Sequence, residues 1–103
     1  MQPQINFNRH ELDLICQKWN ISELSFFGSV IRDDFSDNSD IDILVEFHPD
    51  AIITLSKFER IRIEFENFFG RKVDLVSKRA VVESRNAIRK NAVLSSFRVI
   101  YGA

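Results

Sequence analysis

Cysteine, methionine, tryptophan and tyrosine each occur once in this chain of 103 residues, and glycine and proline only three and two times. The lone cysteine, Cys16, excludes an internal disulfide and fits a reducing compartment. No apolar run approaches the roughly 20 residues of a membrane span. Met1 to Asn6 lacks the basic-then-apolar order of a signal segment. The net charge of −1 gives no global field to recruit nucleic acid, and no basic stripe with interleaved aromatics appears. These absences predict a soluble cytoplasmic protein with no membrane or direct nucleic-acid partner. What the chain has in excess is phenylalanine, ten in all, within an ordinary hydrophobic content of 45%. That composition and length predict one domain over residues 1–103 around one core, with residues 1–6 a loose arm.

The stretch from Phe26 to Phe47 organises the rest. It reads as a strand, a tight Gly28-Ser29 turn, a polar loop, and a second strand opened by Asp40-Ile41-Asp42. Ten residues, Val30 to Ser39, separate the two pairs. Side chains alternate along a strand, so Asp40 and Asp42 share one face, while Ile41, Ile43, Val45 and Phe47 point to a core. Two neighbouring carboxylates repel unless a cation sits between them. A hard divalent cation takes one or two carboxylates together with substrate phosphates. Gly28 lets backbone approach a bulky anion without a Cβ in the way, and the Ser29 hydroxyl and turn N–H groups suit phosphate oxygens. Val30-Ile31 predicts a short helical turn, with Arg32 in reach of a phosphate or paired with Asp33 or Asp34.

Around this centre the pattern predicts an α/β (α+β) fold, a small mixed sheet of three to four strands with helices packed on it. Asn8 with Glu11 marks a helix start, and Leu12, Ile15, Cys16 and Trp19 follow at helical spacing. The first strand lies within Ile21–Phe27. His48-Pro49-Asp50 stops the second. Ser56 with Glu59 forms a capping-box pattern ahead of a helix whose apolar face is Phe58, Ile61, Phe65, Phe68 and Phe69. Gly70 suits its left-handed end. Arg71 to Val76 reads as a third strand, with Val73 and Leu75 on one face and Asp74 on the other. An acid amid an apolar strand costs free energy without a partner, either a shared cation or Lys72 or Arg71. Ser84 is placed to cap a last helix with a basic side of Arg85, Arg89 and Lys90, a solvated face, a seat for an acidic partner or a contact for RNA. Phe97 to Tyr101 reads as a final strand or a packed tail.

Gly28-Ser29, ten residues, then Asp40-Ile41-Asp42 resembles the signature of the polymerase-beta-like nucleotidyltransferase superfamily. The run Asp40 to Phe47, the later Gly70-Arg-Lys-Val-Asp-Leu-Val76 and the short length resemble the minimal nucleotidyltransferases (MNT), many of them antitoxins paired with HEPN-domain toxins. Relatives often carry Arg just after Gly-Ser, and Gly after the later Arg; here those places hold Val30 and Asp33. The resemblance implies catalytic and metal-binding roles for Asp40, Asp42 and Asp74, and nucleotide binding by Gly28, Ser29 and Arg32. It implies ATP as donor, two Mg²⁺ ions, and AMP transfer to a tyrosine hydroxyl of a HEPN toxin, which neutralises it. Length leaves no room for an acceptor-binding domain, so the acceptor site is expected from a partner or second subunit. Two alternatives stand beside this: an antitoxin that blocks its toxin by contact alone, and half of a small-molecule nucleotidyltransferase.

Overall fold

The computed structural model describes residues 7–31 and 40–102, with Ser29 described through its backbone only. The expected arm at residues 1–6, the phosphate role of Arg32, the polar loop 33–39 and the Ser29 hydroxyl therefore lie outside the described residues. Asn8 caps helix α1 (Arg9–Lys18) by accepting from the Glu11 backbone N–H at 2.9 Å. Asn20, at φ 57°, turns the chain directly into strand β1 (Ile21–Phe27). A 3₁₀ turn, Gly28–Ile31, follows, as Val30-Ile31 predicts. Strand β2 (Ile41–Phe47) begins one residue after Asp40.

Helix α2 (Leu55–Phe69) corrects an expectation. Its N-cap is Thr54, whose side chain accepts from the Lys57 N–H at 3.1 Å, not Ser56. Glu59, the acid of the expected capping box, instead pairs with Arg62 one turn on. Gly70 ends the helix at φ 70°. Strand β3 spans Val73–Ser77, and a short helix that the pattern does not predict, α3 (Lys78–Val82), follows at once. Asn86, not Ser84, caps helix α4 (Ala87–Leu94) by accepting from the Arg89 N–H. Ser84 Oγ accepts from the Asn86 N–H, in the lead-in to the helix. The last strand is β4 (Phe97–Tyr101).

The four strands form one mixed sheet in the order β3-β2-β1-β4. β1 pairs antiparallel with both β2 and β4, and β2 pairs parallel with β3. A parallel pair needs a long crossover, and α2 supplies it. Leu24 and Phe26 of β1, Ile41, Ile43 and Val45 of β2, and Val73 and Leu75 of β3 bury one face against Leu12 and Cys16 of α1 and Ile61 and Phe65 of α2. Phe7, Phe26, Phe65, Phe68 and Phe69 meet ring to ring there, with centroids 4.9–6.4 Å apart. Each such pair adds about 0.5–1.5 kcal/mol beyond its buried area. The opposite face carries a smaller cluster: Leu44 under Val81 of α3 and Val93 of α4, bordered by Phe27, Val76 and Phe97. No helix among the described residues is long and apolar enough to cross a membrane.

Candidate active site

Asp42 and Asp74 are the second residues of β2 and β3, and the parallel register sets them side by side. Adjacent strands lie about 4.8 Å apart, and register partners project from the same face. The preceding pair, Ile41 and Val73, is buried in the main core, so the alternation sends both acids to the other face. Farther along that face Leu44 and Val76 are partners in their turn, and α3 and α4 cover them. The two acids thus stand at the uncovered end of a face that is closed beyond them. Asp42 is half-buried and Asp74 exposed. β3 is an edge strand, which removes the burial cost expected for an acid within it.

On its other side Asp42 is paired with Phe27, the last residue of β1. Gly28 follows with φ 71°. A Cβ there would overlap the Asp42 carboxylate oxygen Oδ2 and lie 3.1 Å from its Cγ. Backbone conformation and the close approach of the acid each demand glycine at this position. The turn is held from below by Val30 and Ile31, both buried in the main core.

Three local contacts fix the start of β2 and β3. Ile41 N–H donates to the Lys72 carbonyl at 2.9 Å. Glu66 Oε2, near the end of α2, accepts from the Val73 N–H at 3.0 Å and from Arg62 at 2.6 Å. Asp74 is the next residue. Glu66 carries no motif signal; only its position one turn before the end of α2 hints at the role. At the other end of the face, Glu23 and Glu46 are register partners, and their like charges are bridged by Lys78, whose Nζ lies 2.9 Å from Glu23 and 3.9 Å from Glu46. Lys78 also sits 5.0 Å from the Phe97 ring centroid, which ties α3 onto the sheet. No local pattern announces this bridge, because Glu23 and Glu46 lie more than thirty residues from Lys78.

Asp40 is exposed and precedes the first residue of the β2 ladder. The register brings Asp42 and Asp74 together and leaves Asp40 outside it. Among the described residues, no three His, Cys, Asp or Glu side chains are grouped so as to hold a metal ion. The Asp42–Asp74 pair with the Gly28 backbone against it does fit a hard divalent cation, which is commonly held by one or two carboxylates plus the phosphates of a substrate. A larger cleft, about 810 Å³, opens between the His48–Leu55 loop and α3, at the opposite end of the strands from the acids. Its lining includes Phe47, Phe58, Lys78 and Val82, with no Asp and two Glu.

Residues 12–99 match the family model of the nucleotidyltransferase domain. The chain belongs to that family. It is 36% identical over 75 residues to a candidate protein adenylyltransferase of Methanocaldococcus jannaschii, covering 71% of this chain and 72% of the relative. It is 37% identical over 62 residues to the protein adenylyltransferase MntA of Thermococcus cleftensis, covering 60% and 61%. A solved structure of a candidate minimal nucleotidyltransferase superposes with a TM-score of 0.64 at 29% identity, over 86% of this chain and 85% of that one. A complex of a tri-AMPylated Shewanella oneidensis HEPN toxin with its MNT antitoxin matches in fold, with a TM-score of 0.62 at 18% identity over 92% and 70%. This chain is a minimal nucleotidyltransferase, and its family match contains Gly28, Asp40, Asp42 and Asp74.

Proposed function

We propose that this nucleotidyltransferase moves AMP from ATP to a tyrosine hydroxyl of a HEPN-domain toxin and so acts as its antitoxin. One observation carries the reading: the Asp42–Asp74 register pair at an open sheet end, with the Gly28 turn pressed against Asp42. The names of the relatives, protein adenylyltransferases among them, supply the donor and the class of acceptor. The buried thiol of Cys16 and the absence of any partner cysteine suit a cytoplasmic protein.

In this reading Asp42 and Asp74 would hold Mg²⁺, with Asp40 joining them when nucleotide is present. When bound, the cation offsets the charge of the triphosphate and favours ionisation of the acceptor hydroxyl. The Gly28-Ser29 turn admits the triphosphate close to the backbone, and Arg32 is the candidate counter-charge for its phosphates. The acceptor oxygen bonds to the α-phosphorus as the bond from that phosphorus to the bridging oxygen breaks, and pyrophosphate leaves with the electron pair. The hydroxyl proton passes to Asp74, which its exposure leaves open to an incoming hydroxyl. The chain's own contribution is positioning and a fixed negative site for the cation.

The test is the intact mass of the cognate toxin after incubation with Mg-ATP and either the native protein or Asp42→Asn. A gain of one or more AMP units with the native protein alone is expected. An unmodified toxin that both proteins inhibit equally would show a contact antitoxin instead. Turnover on a soluble hydroxyl compound with no toxin present would favour the small-molecule reading.

A further inference from the structure

We propose that the outer face of α4 is the docking surface for an acidic segment of the acceptor protein, an inference that rests on the protein-acceptor reading above. Between Ser84 and Ala103 the chain has four basic residues, Arg85, Arg89, Lys90 and Arg98, and no acidic one, although the net charge of the whole is −1. Elsewhere on the helices four basic side chains have acidic partners, Lys18 with Glu64, Arg62 with Glu59 and Glu66, Lys78 with Glu23, and Arg79 with Glu83, and Arg9 and Lys57 donate to backbone carbonyls. Arg85 and Arg89 are exposed and Lys90 half-buried, and none of the three makes an ion pair among the described residues. Their charge is left for something outside the described chain.

Two further features give the patch a direction. Ile88, between Arg85 and Arg89, is 85% exposed. Flanked in sequence by Arg85 and Arg89, this exposed aliphatic side chain offers an apolar anchor beside charged neighbours, as in a small protein–protein contact. No aromatic side chain lies on α4, so the face lacks the stacking platform that single-stranded nucleic acid uses. Arg89 and Lys90 also line a recess of about 260 Å³ with Val76, Ala80, Val81 and Ser84. Val76 is two residues beyond Asp74 on the same face of β3, a step of about 6.6 Å. An acidic segment seated on Arg89 and Lys90 therefore lies next to the carboxylate pair, within reach for a hydroxyl a few residues away.

The experiment compares the native protein with Arg85→Glu/Arg89→Glu, both exposed positions, and with Ile88→Ser. Association with the cognate HEPN toxin is followed by surface-immobilised kinetics at low and high salt, and AMP transfer by toxin titration. The charge reversal is expected to slow association about tenfold at low salt and to raise the KM for toxin by a similar factor. The difference should vanish near about 0.5 M salt, where exposed charges are screened, and kcat at saturating toxin should stay unchanged. Ile88→Ser should speed dissociation without altering the salt dependence. Unchanged association and KM in both variants, while the native protein modifies the toxin, would overturn the docking surface and leave the proposed activity standing. A fall in kcat rather than a rise in KM would assign Arg89 to the nucleotide and also overturn it. Loss of binding to a single-stranded RNA probe with toxin kinetics intact would do the same. If the native protein neither binds nor modifies the toxin, both readings fall.

Discussion

Gly28 and Gly70 form a natural pair of probes, because they share a backbone conformation and differ in what surrounds it. Both are left-handed, with φ of 71° and 70°. A Cβ on Gly70 would meet nothing within 4 Å. A Cβ on Gly28 would overlap Asp42 Oδ2. The left-handed conformation costs a non-glycine residue about 1–2 kcal/mol, so both Gly→Ala variants should lose that much. For a domain of this size the loss lowers the Tm by about 4–8 °C per kcal/mol. Only Gly28→Ala must also move the Asp42 carboxylate, or the turn, by an appreciable fraction of an ångström. Displacements near 1 Å in a reacting centre cost on the order of 100-fold in rate. The expected outcome is similar thermal destabilisation for the two variants, with AMP transfer reduced at least about 100-fold in Gly28→Ala and unchanged in Gly70→Ala. The assays are differential scanning calorimetry and initial rates of toxin adenylylation at a temperature where both variants are folded. Full activity in Gly28→Ala would refute the idea that the glycine turn and Asp42 form one site. Equal losses of activity in both would show that the effect is stability alone.

Asp74→Asn should reduce transfer by at least about 100-fold while leaving stability unchanged or raising it by up to about 1 kcal/mol, because like charges side by side on adjacent strands are relieved; rates and urea midpoints check the two halves separately. Thr54→Ala should cost about 1 kcal/mol as a lost helix cap and Ser56→Ala less than about 0.5 kcal/mol, measured by urea unfolding. Burial, and secondarily Asp13, pushes the Cys16 thiol up to about 12 from 9.0. The unfolded chain therefore releases this proton at a lower pH than the fold does, and stability should fall as pH rises from about 9 toward 12, by up to about 1.4 kcal/mol per pH unit. Cys16→Ala should flatten that slope in Tm-versus-pH scans, and the native thiol should resist alkylation at pH 8 until the protein unfolds.

The features legible in the sequence were those set by local periodicity: the Asn8 cap, the left-handed end at Gly70, and the two-residue alternation that puts Ile41, Ile43 and Val45 opposite Asp42. What was not legible depended on choices between equivalent local signals or on distant partners. Thr54 and Ser56 both suit a cap; Thr54 takes the place, and Glu59, the acid that Ser56 would need, pairs with Arg62. α3 is too short to announce itself by period; Val81 in the second cluster and Lys78 on Glu23 hold it in place. The placement of Asp74 beside Asp42 is a third kind of case. It is a property of register, and register is fixed by the opposite face of the sheet. A slip of one residue in β3 would turn Val73 and Leu75 out of the core and Asp74 into it. The apolar residues that touch no substrate therefore hold the two carboxylates in line. Glu66, which clamps the Val73 N–H at the head of the strand, guards the same register from its end. If the carboxylate pair is the site proposed above, core residues away from it carry its precision, and changes in them should appear first in activity and only later in folding.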